Sequence, residues 1–139
     1  MRQLQHTITL SGRGRGFTNI SREVQGWVNE SGMETGILNL FVQHTSCSLM
    51  IQENADPDVL HDMESFFSRL VPDGDPMFRH RAEGPDDMPA HIRMALTQVS
   101  LNVPVANGRL ALGVWQGIYL YEHRQQPMTR RIQLHLLGQ

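Results

Sequence analysis

Short runs in which apolar and polar residues alternate recur along this chain, and a period of two commits those segments to a sheet with one buried face. Leu4, His6, Ile8 and Leu10 alternate with Gln3, Gln5, Thr7 and Thr9. Val99, Leu101 and Val103 repeat the pattern, as do Ile132, Leu134 and Leu136 around Gln133 and His135. Ile37, Leu38, Leu40, Phe41 and Val42 form a nearly continuous apolar stretch, the pattern of a central strand, and Leu49-Met50-Ile51 resumes it after a polar interruption at 44–48. Asn107-Gly108, before Leu110-Ala111-Leu112, signals a two-residue hairpin. With Ile118-Tyr119-Leu120-Tyr121 added, the last three strands are expected to form an antiparallel meander.

Helical spacing interrupts the strands. Ser21 is a plausible cap for a short helix in which Val24, Trp27 and Val28 share a face and Gly32 is the stop. Asp56-Pro57 is a stronger start, a capping carboxylate followed by a ring whose fixed φ suits the first helical position. Val59, Leu60, Met63, Phe66, Phe67 and Leu70 then supply a core face, and Pro72-Asp73-Gly74-Asp75-Pro76 opens a polar loop through Arg79-His80-Arg81. A further short helix begins near Pro89, which puts His91 in its first turn, where the positive end of the dipole keeps a histidine neutral. The expected fold class is α+β: a mainly antiparallel β-sheet sandwich packed with two or three helices, one domain over residues 1–139.

Composition excludes several functions. A net charge of -2 supplies no basic field for nucleic acid or an anionic membrane, and no apolar run approaches the roughly 20 residues of a spanning helix. The opening Met1-Arg2-Gln3-Leu4-Gln5-His6 lacks the apolar segment of a secretory signal, and one cysteine makes no internal disulfide, so the expected location is the cytoplasm. All 12 basic residues are arginine. That inventory removes Schiff-base, lysine-base and P-loop chemistry and leaves arginine, hydroxyl or backbone amide to hold any anion.

Three polar clusters, each with a histidine, punctuate the apolar runs: His44-Thr45-Ser46-Cys47, Asp86-Asp87-Met88-Pro89-Ala90-His91 and Glu122-His123-Arg124. A polar run closing a buried strand must satisfy its own groups, which makes His44 a functional candidate. Cys47, three residues on, is a candidate nucleophile or soft ligand, against the commoner role of a small buried hydrophobe. His44, His91 and His123 stand at the ends of different elements and are the candidate zinc-type ligands and proton carriers. Glu53 and Asp56 are candidate magnesium partners, although capping alone accounts for Asp56. Asp86-Asp87 also suit a helix N-terminus. Gln116, in a bend with a Trp115 assigned to the core, and Arg109 and Arg124 are candidates for gripping a substrate. His6, His61, His80 and His135 have no polar company in sequence and are read as solvated.

His44-Thr45-Ser46-Cys47-Ser48-Leu49, Glu53-Asn54-Ala55-Asp56-Pro57, the segment from Glu83 to Ile92, Asn107-Gly108-Arg109, Gly113-Val114-Trp115-Gln116-Gly117 and Glu122-His123-Arg124 together resemble the YjbQ family, described as secondary thiamine-phosphate synthases. Order and spacing agree along almost the whole chain. The resemblance implies an α+β domain assembled as a homotrimer, with His44, Cys47, His91 and His123 at the site. It also implies a low activity joining an aminopyrimidine diphosphate to a thiazole phosphate with release of pyrophosphate. Such a coupling calls for a divalent metal, magnesium or zinc, and for arginine to neutralise the leaving group. Val114 departs from the family pattern, which has threonine there. The alternative is a non-catalytic trimeric module that binds a metal or a small anionic metabolite; a metal-storing or structural protein is the third.

Overall fold

The computed structural model describes Met1–Gln139. Its elements in chain order are β1 (Arg2–Ser11), β2 (Gly16–Asn19), α1 (Ser21–Ser31), β3 (Thr35–Val42), β4 (Cys47–Glu53), α2 (Pro57–Leu70), α3 (Asp87–Leu96), β5 (Ser100–Ala106), β6 (Arg109–Leu110), β7 (Gln116–Glu122) and β8 (Thr129–Gly138). They form two sheets, a five-stranded one in the order β1-β8-β3-β5-β6 and a three-stranded one in the order β2-β7-β4. Every pairing is antiparallel.

The alternation read from the sequence decides what each sheet buries. Ile8, Leu38, Leu40, Val42, Leu101, Val103, Ile132, Leu134 and Leu136 of the large sheet meet Cys47, Leu49, Ile118 and Leu120 of the small one in a single core. Helix α1 closes it with Val24 and Val28. The fold is therefore the expected α+β sandwich with three helices. Asn107 and Gly108, both at positive φ (54° and 74°), make the β5–β6 turn as anticipated. Gly32 ends α1 in the left-handed conformation, and the Asp56 side chain caps α2 by accepting from the Asp58 amide.

Four local expectations are corrected. The last strands are not a meander: β6 stays with β5, β7 lies between β2 and β4 in the other sheet, and β8 lies between β1 and β3. Both neighbours of β8 match its register for most of its length, so it enters the larger sheet as an interior strand. Ser21 is the first residue of α1 and does not cap it; its hydroxyl accepts from the Ile118 amide and ties the helix to β7. In α2 only Phe67 is buried, against Tyr121, while Phe66 and Leu70 face outward. Trp115 is 62% exposed, because its turn is held through the backbone: Asn54 N–H donates to the Trp115 carbonyl and Gly113 N–H to Gln116 Oε1.

Candidate functional site

The site follows from where three chain segments stop. The loop that begins β4, the N-terminus of α3 and the turn after β7 meet at one edge of the small sheet. Helix α3 starts at Asp87, two residues earlier than its proline suggests, so His91 lies one full turn in, on the same face as Asp87. His91 Nδ1 is 2.7 Å from the Thr45 carbonyl, its Nε2 is 3.2 Å from Asp87 Oδ2, and His80 Nε2 is 2.7 Å from that same oxygen. The three atoms lie within 4.8 Å of one another. The carboxylate is 2% exposed, whereas the His80 and His91 side chains are 42% and 32% exposed.

A carbonyl only accepts, so a ring proton of His91 sits on Nδ1, and in the neutral ring the Nε2 lone pair faces Asp87 Oδ2. Two acceptors at 3.2 Å repel unless something positive lies between them: a further proton on the ring or a metal ion. A histidine whose second nitrogen donates to a backbone carbonyl is the usual oriented metal ligand. Two imidazoles and one carboxylate, one atom each, make a set that suits zinc, iron or manganese.

Asp87 is held from behind. Arg124 Nη1 lies 2.9 Å from its Oδ1 as an ion pair, Nε donates to Asp86 Oδ2 at 3.1 Å, and Nη2 donates to the Glu83 carbonyl at 2.9 Å. Burial pushes the Asp87 carboxyl up, but the His80 contact and the charge of Arg124 outweigh it and hold it below the usual carboxylate range. Asp86 is also held low: burial is outweighed by the Gln125 amide and by Arg124. The turn that presents Arg124 is fixed in its own right. Glu122 Oε1 accepts from the His123 and Arg124 amides, and both Glu122 oxygens pair with Arg130 at 2.6 Å, with Glu122 and Arg130 almost fully buried.

The residues singled out from sequence do not all arrive here. The triad of His44, His91 and His123 is not the group assembled within the chain; His91 is joined instead by His80 and Asp87. His44 Nε2 accepts from the Arg131 amide at 2.8 Å, and burial, with the charges of Arg130 and Arg131, keeps its pKa low. His123 is fully buried, with Nε2 2.9 Å from Ser48 Oγ; burial, followed by Arg93 and Arg15, lowers it to about 3. Cys47 is buried and its thiol is pushed up to about 12, so at neutral pH it carries no charge. Glu53 Oε2 accepts from the Asp56 amide while Asp56 caps α2, so both carboxylates serve the start of that helix. Gln116 closes its own turn, and Arg109 lies in a hairpin whose bonds run to Gln25 and Glu34.

His80 is the residue that sequence reading missed. It comes from the long loop after α2, and no local spacing announces it. Asp87 with His91 at i and i+4 of one helix was the available signal.

A family model described as "UPF0047 protein YjbQ-like" matches residues 6–139. This chain belongs to that family. It is 50% identical to a UPF0047 protein of Synechocystis over 99% of this chain and 94% of the relative, and 46% identical to the YjbQ protein of Escherichia coli O157:H7 over 97% and 98%. Solved structures agree: a conserved hypothetical protein of Thermus thermophilus superposes with a TM-score of 0.85 at 36% identity, covering 95% of this chain and 99% of that one. A hypothetical protein of Aeropyrum pernix gives 0.89 at 28% identity over 98% and 99%.

Proposed function

We propose that this protein is a divalent-metal-dependent enzyme acting on a phosphorylated small molecule, with the ion held by His80, Asp87 and His91. The observation that supports this most is the convergence of His80 Nε2, His91 Nε2 and Asp87 Oδ2 within 4.8 Å of one another, with His91 oriented by the Thr45 carbonyl, an arrangement that suits a cation. An ion there supplies Lewis acidity toward a phosphoryl oxygen and neutralises a leaving group. The chain's own contribution is to orient: Thr45 fixes the His91 ring and Arg124 fixes the carboxylate. Exposed Arg79 and Arg81 flank His80 and favour an anionic partner.

Within that class, the finer assignment is the thiamine-phosphate synthase reaction suggested by the family resemblance, as a weak secondary activity. A metal at the diphosphate suits it; Cys47 and His123 are buried and stand outside the His80–Asp87–His91 cluster. The homotrimer belongs to the same proposal. The outer face of the five-stranded sheet carries exposed Ile37, Phe41 and Leu137, and α2, on the small sheet, carries Phe66 and Leu70, two separate apolar patches suited to self-association.

The test is turnover of phosphorylated substrates by metal-loaded protein beside the His91→Ala variant. Turnover that disappears in the variant while its thermal unfolding stays cooperative supports an enzyme. Stoichiometric metal without turnover on any phosphorylated substrate would leave the trimeric binding module instead.

A further inference from the structure

We propose that the ion at this site takes its anionic partner through two oxygens at once, and that Arg124 is the positioning residue that leaves room for them. The inference rests on the metal reading above and adds the class of ligand. A carboxylate can occupy two positions on a metal ion, but Asp87 Oδ1 is held by Arg124 Nη1 at 2.9 Å, which leaves only Oδ2. The protein therefore offers three atoms, all from one side. A six-coordinate ion such as iron or manganese would keep about three adjacent positions, a 2-His-1-carboxylate face with its opposite side open.

That open side points outward, since both imidazoles are partly exposed and the carboxylate is not. Its charge is also defined. A divalent ion with one carboxylate is left at about +1; Asp86 and Glu83 are set against Arg124 and the exposed Arg79 and Arg81 beside His80, so the site stays positive and an anion is attracted. Two neighbouring places favour an anion that presents two oxygens at fixed separation, because the second oxygen binds at high effective concentration once the first is bound. Diphosphates and α-oxo or α-hydroxy carboxylates share this chemistry.

The experiment uses the full chain loaded with Mn²⁺, counting metal-bound water from the line broadening of the ion's paramagnetic resonance in ¹⁷O-enriched water. About three waters are expected on the bound ion, falling to about one with saturating oxalate or pyrophosphate. Each chelator should bind at least about tenfold more tightly than acetate. The tighter of the two identifies the source class. Arg124→Lys keeps the positive charge but removes the planar fork; with Asp87 free to bind through both oxygens, bound water should drop to about two and chelator affinity about tenfold, with Mn²⁺ still retained. A variant that merely loosened the fold would not change the water count. Acetate binding as tightly as both chelators, or a single water before any anion is added, overturns the inference alone. Failure to bind Mn²⁺ removes the metal reading and this inference with it.

Discussion

Replacing Arg130 by methionine should be among the most destabilising single changes outside the hydrophobic core. The guanidinium pairs with both oxygens of Glu122 at 2.6 Å, donates to the Ser46 carbonyl and hydroxyl, and is almost fully buried. In Arg130→Met the hydrophobic stem is retained, yet Glu122 keeps a buried charge with only the His123 and Arg124 amides to stabilise it. Breaking such a pair costs about 3–5 kcal/mol. For a chain of this length that corresponds to a fall in Tm of roughly 10–17 °C. The double variant Arg130→Met/Glu122→Gln removes the stranded charge while preserving an acceptor for both amides, and should recover at least about half of the loss. Urea and thermal unfolding of the three proteins settle the matter. A single variant within about 1 kcal/mol of the parent, or a double variant no better than the single, refutes the reasoning.

Other consequences can be checked on the same material. His123 has a folded pKa of about 3 against an ordinary 6.5, so between these values the unfolded chain binds more protons. Stability should be complete above pH 6.5 and fall as pH drops toward 3, with a slope approaching about 1.4 kcal/mol per pH unit that His123→Gln flattens; an unchanged profile contradicts it. Cys47, a buried neutral thiol, should react with an aromatic disulfide reagent at pH 8 only at the rate of unfolding, and prompt stoichiometric labelling of native protein would show otherwise. Asp56→Ala should cost about 1 kcal/mol through the lost α2 cap and leave metal affinity unchanged; a large loss of metal binding would return Asp56 to the site.

What could be read from the sequence was what local physics determines. Alternation in β1, β5 and β8 located strands and their buried faces, Asp56-Pro57 placed a helix start, and Asn107-Gly108 placed a hairpin. Strand order was not local: β8 is an interior strand because β1 and β3 both match it, and nothing within residues 129–138 says so. The candidate cluster was half legible. His91 and Arg124 were visible as polar residues at element ends, and Asp87 was in view as a helix-terminal carboxylate. His80 stayed hidden because a loop residue acquires meaning only when the loop folds back onto α3. His44 and His123 stand outside that cluster within the chain, and each satisfies a neighbouring group, the Arg131 amide for His44 and the Ser48 hydroxyl for His123.

The central claim is that His80, Asp87 and His91 together hold a divalent cation. Calorimetric titration of Zn²⁺ and Mn²⁺ into chelator-treated protein, run beside Asp87→Ala, tests it directly. One ion per chain should bind to the parent, and the variant should lose at least about a hundredfold in affinity, roughly 2.7 kcal/mol, while unfolding cooperatively. A parent that takes up no ion, or a variant that binds as tightly as the parent, contradicts the account.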